Sequence, residues 1–327
     1  MRVLVTGATG FIGSELVHAL LRRADEVRIL ARSAERAAPL VAAGAELVIG
    51  DLADPLSLKG SCSGCEVVFQ LASAMRGSEA EFRRVDIEGL CALISEAERA
   101  AVRRLVYPGT LSSYDTAHVR DGAWLDEASP FDRTGRLGSY ARAKAQAEEI
   151  VLTATQRRKL EGVIVRLGLT CGKGAAPFPP HVGRLVRPNL LVVFGDGTIP
   201  LPLVLVENAV EALILAATVP GIAGEAFNII DAEALTQTDY VALYRHVTGA
   251  ALRVVRVPRP TYYALGAATA LAARLRAKEP TITPYRVRAR LQRVRWNCSK
   301  AERRLHWRSG VPLRTGLSAA FLPPTGA

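Results

Sequence analysis

The chain has 327 residues, 49% hydrophobic and 22% charged, which is enough for a substantial buried core and too apolar for a disordered polypeptide. Its 42 basic and 31 acidic residues leave a formal charge of +11, concentrated from Arg253 to Arg314, which we read as a solvated surface and not as a nucleic-acid footprint. The longest apolar stretch, Tyr262 to Ala273, is too short to span a bilayer. The opening Met-Arg-Val-Leu-Val is interrupted at Thr6, Gly7 and Gly10, and the five cysteines show no disulfide framework; a cytoplasmic protein with free thiols and no stable membrane insertion is expected.

Strand and helix signals alternate from the first residues. Val3–Thr6 reads as a strand and Phe11–Arg22 as a helix with apolar positions at Ile12, Leu16, Ala19 and Leu20. Val27–Ala31 is the next strand, and Ala34–Ala43 a helix closed by Gly44. Short apolar strands follow at Leu47–Gly50 and Val67–Leu71, then a long helix over Phe82–Ala100 and a strand at Arg104–Tyr107. A helix over Ser139–Thr155 and a strand at Val163–Leu167 complete the series. Continuous Val/Ile/Leu runs are those of strands buried on both faces, so the pattern predicts an α/β fold with a doubly wound parallel sheet. Residues 1–168 form the expected dinucleotide-binding domain. After Gly168 proline and glycine become frequent and alternation is lost, which predicts a smaller, interleaved α/β part over 169–327, with the chain returning to the first domain at about 203–219.

Thr6-Gly7-Ala8-Thr9-Gly10-Phe11-Ile12-Gly13 lies between the first strand and the first helix. There Gly7 permits a tight turn, Gly10 lets backbone N–H groups approach a pyrophosphate, and Gly13 lets helix and strand pack closely. Thr9, Phe11 and Ile12 complete the turn into a helix N-terminus that favours an anion. The second strand ends Ala31-Arg32-Ser33, with an Arg where an acid would bind a ribose 2′-OH. Arg32, assisted by Arg36, therefore favours NADP(H), with NAD(H) as the alternative. Asp51 and Leu52, after the third strand, are placed to meet the adenine ring.

Tyr140 and Lys144 stand four residues apart on one helical face. A phenol titrates near pH ~10 when unperturbed, and a neighbouring ammonium favours the phenolate. The pair thus predicts a general acid/base of lowered pKa.

Together these residues resemble the extended short-chain dehydrogenase/reductase family, which includes NAD-dependent epimerases and dehydratases. The resemblance runs through Gly50-Asp51-Leu52, Val68–Ala72, Val106–Tyr114, the Tyr140/Lys144 pair, Arg166–Gly172, Phe227-Asn228 and Ser299–Glu302. It implies that Thr110 hydrogen-bonds the substrate oxygen, with Ser112 the weaker choice, and that Lys144 also holds the nicotinamide ribose. Leu71 and Ala72 would lie against the cofactor, and Leu167 and Gly168 would line the nicotinamide pocket. A homodimer is implied by the family alone.

The departures bear on substrate. Asp86 stands where family members often carry Asn, Gln70 where they carry His, Leu167 follows Arg166 in place of Pro, and Cys171 precedes Gly172 in place of Tyr. In the sugar-modifying branch an Asn near Leu169 contacts the nucleotide diphosphate and a His-Val-Asp-Asp-like stretch follows, where this chain has Leu169 and Leu205–Asn208. The remaining pattern is closer to the dihydroflavonol reductase and 3β-hydroxysteroid dehydrogenase branch. It points to an NADP(H)-dependent oxidoreductase of a ketone or aldehyde on a bulky, largely apolar small molecule. A nucleotide-sugar epimerase with retained NAD, using Arg286, Arg288 and Arg290 on the diphosphate, is one alternative; a non-catalytic dinucleotide-binding sensor or assembly protein is another. Cys62-x-x-Cys65 lacks the second pair a metal needs. Trp296 and Trp307 are expected to pack, and the Tyr262–Leu275 segment to form a buried helix under the substrate pocket.

Overall fold

The apolar runs of the first half are buried on both faces, as a parallel sheet covered on each side requires. The computed structural model describes residues 1–74, 77–157, 159–276 and 279–322. The early strands are β1 (Arg2–Thr6), β2 (Glu26–Ala31), β3 (Glu46–Ile49), β4 (Val67–Gln70) and β5 (Arg104–Thr110). After the two-residue β6 (Trp124–Leu125) comes β7 (Glu161–Leu167). Then β8 (Leu169–Cys171), β9 (Arg184–Arg187), β10 (Leu190–Phe194), β11 (Pro200–Leu201) and β12 (Leu203–Leu205) lead to β13 (Ala226–Ile229). The last are β14 (Leu235–Thr236), β15 (Arg253–Val257) and β16 (Arg295–Trp296).

Seven of these strands form one parallel sheet in the order β13-β7-β5-β4-β1-β2-β3. The chain starts in the middle, winds out to β3, and then crosses to the other side of β1, so successive crossovers cover both faces. This is the expected doubly wound α/β architecture, and its order reverses between β1 and β4. Sheets of this kind hold ligands in the crevice beyond the carboxyl ends of the strands at such a reversal.

The helices are α1 (Phe11–Arg22), α2 (Ala34–Ala42), α3 (Glu79–Phe82), α4 (Gly89–Arg99), α5 (Ser139–Gln156) and α6 (Val206–Thr218), followed by α7 (Gln237–Thr248), α8 (Arg259–Leu275), α9 (Pro284–Leu291) and α10 (Leu313–Phe321). Helix α6 returns to the sheet and packs beside α1. Trp307 is buried in the main core with its indole N–H donating to Asn208 O at 2.9 Å, and Trp296 packs edge-on to Tyr114, so both tryptophans serve packing as expected.

Three elements depart from expectation. β5 continues to Thr110, because Pro108, Gly109 and Thr110 pair with Val165, Arg166 and Leu167 of β7. β4 stops pairing at Val106, so one side of β5 is open at Pro108, where a residue without N–H is tolerated. The helix expected over Phe82–Ala100 begins at Glu79, behind a Ser78/Glu81 capping box, and passes through a π-helical segment over Arg83–Glu88. Such insertions aim side chains off the regular helical register, and this one turns Asp86 inward. Finally, α8 is not the buried helix expected. Only Tyr262 and Gly266 are buried, while Leu265, Leu271 and Leu275 face outward; its packed side rests on α9 and on Phe194 of β10, which cover one stripe and leave the other open.

Candidate functional site

Thr6 ties the two sides of the crevice together. Its hydroxyl accepts the Ala72 N–H at 3.1 Å and donates to Gln70 Oε1. Gly7 follows at φ +65°, and a Cβ on it would lie 2.6 Å from Ala72 N, so both conformation and close approach demand glycine. A Cβ on Gly13 would lie 2.2 Å from Gly7 O, and Gly10 N donates to that same carbonyl at 3.0 Å. Gly10 caps α1 without a side-chain acceptor, and no acid stands in the first turn. The N–H groups of Phe11, Ile12 and Gly13 are therefore left without a side-chain acceptor at the start of α1. This glycine cradle fits the pyrophosphate of a dinucleotide, in shape and in sign.

At the end of β2, Arg32 is 71% exposed and its Nη1 lies 3.9 Å from Asp51 Oδ2, a loose contact beside the crevice. Arg36 is also exposed, its N–H donating to the Ser33 hydroxyl that caps α2. Leu52 and Leu167 are buried in the two cores flanking the sheet, which leaves their backbone and not their side chains for a ligand. Leu71 is half-buried against the core. A Cβ on Gly168 would lie 2.3 Å from Pro202 O, so the crossing of the β12 lead-in explains that glycine.

Tyr140, Lys144 and Glu148 rise one turn apart along α5. Thr110, at the end of β5, presents its hydroxyl to the Tyr140 phenol, a contact that favours the phenolate. The same hydroxyl accepts the Ser112 N–H at 3.2 Å; Ser112 itself is exposed. Ser113 Oγ donates to Ala141 O at 3.1 Å and so fixes this loop to α5. The ring of Phe82 meets Tyr140 edge-on at 6.2 Å. Lys144 is buried with its ammonium 4.2 Å from the centroid of the Tyr107 ring. Asp86 is buried, accepting Ser73 Oγ–H and, at 3.0 Å, the Ala74 N–H.

The electrostatics depart from the sequence-based expectation. Burial and the Asp86 carboxylate push the Tyr140 phenol up to about 12, not down. Burial lowers Lys144 to about 8, against the attraction of Asp86 and Glu148. The i,i+4 spacing places the ammonium against Tyr107 and between two carboxylates, which absorb its field. Residues outside the expected set therefore govern the site: Phe82, Asp86, Tyr107 and Glu148. Glu148 was readable, since it continues the four-residue spacing of Tyr140 and Lys144. Asp86 was not, because only a π-helical turn points it at α5.

The C-terminal part closes over the start of α5. Ser139 N and Oγ both donate to the Glu279 carboxylate, the former at 3.2 Å, and Arg286 Nη2 binds the same carboxylate at 2.6 Å. Arg286 also donates to Arg136 O at 3.2 Å and to Pro280 O. Cys62 and Cys65 are buried free thiols, and no group of metal-binding side chains forms among the described residues.

Residues 3–229 match the model of the NAD dependent epimerase/dehydratase family. The chain is 30% identical to the 4-hydroxy-2-methyl-3-oxo-4-farnesyl-3,4-dihydroquinoline-1-oxide ketoreductase of Stigmatella aurantiaca, over 98% of this chain and 95% of that one. It is 29% identical to the 2-alkyl-3-oxoalkanoate reductase of Shewanella oneidensis, over 86% of this chain and 75% of that one. Among solved structures, gox2253 superimposes with a TM-score of 0.80 at 23% identity, covering 98% of this chain and 96% of that one.

Proposed function

Because this chain belongs to the NAD dependent epimerase/dehydratase family, as a NAD(P)-dependent oxidoreductase, we propose that it reduces a ketone or aldehyde on a bulky, largely apolar small molecule with NADPH. The observation that supports this reading is the meeting of the Thr110 and Tyr140 hydroxyls, with Lys144 one turn further along α5, in a chain that also carries the glycine cradle. The substrate class rests on the two relatives, whose names specify ketones bearing a farnesyl or an alkyl group. Arg286 favours a reductase over a sugar-nucleotide enzyme, since its guanidinium is already held by Glu279, Arg136 O and Pro280 O and is not free for a diphosphate.

When bound, the nicotinamide supplies hydride to the carbonyl carbon. Thr110 hydrogen-bonds the carbonyl oxygen and positions it. Tyr140 gives that oxygen its phenolic proton, and the high pKa keeps this proton in place through neutral pH. Lys144 holds the nicotinamide ribose, and Asp86 sets the field around the phenol. Gly7, Thr9, Gly10, Phe11, Ile12 and Gly13 take the pyrophosphate, Asp51 and the Leu52 backbone the adenosine side, and Leu71, Ala72, the Leu167 backbone and Gly168 the remaining walls of the cofactor site.

The test is NADPH oxidation at 340 nm over a panel of long-chain 3-oxo compounds, sterol ketones and UDP-sugars. Turnover of an apolar ketone is expected; release of tightly held NAD from the purified protein, with UDP-sugar conversion, overturns the reading. A second prediction concerns Arg32. One charge-assisted bond of about 1.5–3 kcal/mol corresponds to a preference for NADPH over NADH of roughly 10–150-fold. Arg32→Glu is expected to reverse that preference in kcat/KM, and a wild-type preference for NADH sinks the cofactor assignment.

Asp86 gives a third. Its charge raises the pKa of both Lys144 and Tyr140, so Asp86→Asn lets both fall. The alkaline limb of the kcat/KM profile, set by loss of the Lys144 proton near pH 8, is expected to move to lower pH. An unmoved limb would leave Asp86 as a tether for Ser73 and Ala74 alone.

A further inference from the structure

Helix α8 is seventeen residues long and has two faces. Tyr262, Gly266, Thr269 and Ala273 recur at helical spacing on the packed side: Tyr262 stacks on Phe194 at 4.4 Å, and a Cβ on Gly266 would lie 3.1 Å from the backbone of Thr283. Thr269 donates its hydroxyl inward, to Leu265 O at 2.9 Å and Ile282 O at 2.7 Å, so it puts no unmet polar group on the outer surface. The opposite stripe is Ala264, Ala267, Ala268, Leu271 and Leu275, flanked by Tyr263 and Leu265. Leu271 is 62% and Leu275 80% exposed, far more than folding alone requires.

Along this segment the charge has one sign, and one acid from outside it, Asp196, lies 3.8 Å from Arg259. From Arg253 through Arg276 the sequence holds five arginines and no acidic residue, and Pro260 through Ala273 carries no charge at all. Arg259 brackets the apolar stripe at one end, and Arg274 and Arg276 at the other; all three are exposed. Arg253 and Arg256 are exposed on β15, which leads directly into α8 together with an exposed Val255. At the opposite edge of the same three-stranded sheet, β9 repeats the pattern in miniature, with Arg184 and Arg187 enclosing exposed Leu185 and Val186.

An apolar helical stripe rimmed by guanidinium groups matches a surface that is apolar inside and anionic at its edge. A neutral protein groove or a second copy of this chain answers the leucines but not the arginines, because two copies would bring like charges together. We propose that α8 docks this protein onto the surface of anionic phospholipid membranes, lying in the headgroup plane with Leu271 and Leu275 among the acyl chains and Arg259, Arg274 and Arg276 on the phosphates. No helix among the described residues can cross a membrane, so the attachment is peripheral and reversible. The inference concerns the outward stripe of α8, away from its packed side, and does not depend on the substrate assigned above.

Co-sedimentation of the full chain with vesicles tests it, using phosphatidylcholine alone and phosphatidylcholine mixed with phosphatidylglycerol, at about 0.15 M salt. Binding to the anionic vesicles is expected to exceed binding to the neutral ones by about tenfold or more. The neutral double variant Leu271→Ser/Leu275→Ser, and separately Arg274→Gln/Arg276→Gln, should each lose that binding by about tenfold. Thermal unfolding and cofactor-induced stabilisation of both should match the wild type, since the four side chains are exposed. Equal partition onto the two vesicle types overturns the proposal. So does binding that the leucine variant keeps in full, which would reduce the contact to general charge attraction. Light scattering that shows a dimer dissociated by the leucine changes also overturns it, by assigning the stripe to a second copy.

Discussion

Tyr140→Phe is expected to lower kcat for carbonyl reduction by about 10²–10⁴-fold, the usual worth of a positioned general acid, which is about 2.7–5.5 kcal/mol of barrier. The ring stays, and with it the edge-on contact with Phe82 and the packing of α5 against β5, so thermal stability should hardly change. The phenol does not hold the dinucleotide in this scheme, so NADPH affinity, read by fluorescence or thermal shift, should remain near the wild-type value. The two directions of reaction should also differ with pH. With the phenol held at about 12 and Lys144 at about 8, reduction needs the proton already present and should stay level until Lys144 loses its charge. Alcohol oxidation needs the phenolate and should climb through the alkaline range. A Tyr140→Phe variant within about threefold of wild type would remove Tyr140 from proton transfer and bring forward the reading of this chain as a dinucleotide-binding protein without catalysis.

The glycine cradle and the parallel sheet were legible because both are local. Gly7, Gly10 and Gly13 report backbone constraints that only a few residues on either side impose, and parallel strands buried on both faces leave unbroken Val/Ile/Leu runs. The electrostatics of the site were not legible, and the reason is geometric. Lys144 was placed correctly on the face of Tyr140, but its effect depends on what else its ammonium meets. That turned out to be the Tyr107 ring, Asp86 and Glu148, which come from β5, a π-helical turn and a further turn of α5. No spacing rule joins Asp86 to Tyr140 across more than fifty residues. Helix α8 failed for a different reason: a run of Tyr, Leu and Ala reads as burial, whereas burial is decided by how many elements surround a helix. Here α9 and the Phe194 ring of β10 cover one side only.

The ion pair beneath the site shows how much of the fold serves that placement. Arg166, on β7, binds Glu148 through Nε at 3.0 Å and Nη2 at 2.9 Å, donates to Tyr114 Oη at 2.7 Å and to Glu127 O at 3.0 Å, and lies over the Phe131 ring at 4.2 Å. Tyr114 passes its own proton to Asn228 Oδ1 at 2.7 Å, so one buried network spans β7, α5, β13 and the loop after β5. Glu148 Oε1 lies where a Cβ on Gly109 would be, 2.2 Å away, next to Thr110. Arg166→Met removes one charge and strands the other in the interior, a change that costs about 3–5 kcal/mol. At about 2–4 °C per kcal/mol the midpoint of thermal unfolding should drop by roughly 6–20 °C. Glu148→Met should cost a similar amount for the same reason. The double variant Glu148→Met/Arg166→Met buries no unpaired charge and should be more stable than either single one, giving a coupling energy of about 2 kcal/mol or more in a double-mutant cycle. Strictly additive losses would show that each side chain acts through packing alone. If the pair also holds Thr110 through Gly109, the double variant should recover stability but not activity, with kcat depressed while KM for NADPH stays near the wild-type value.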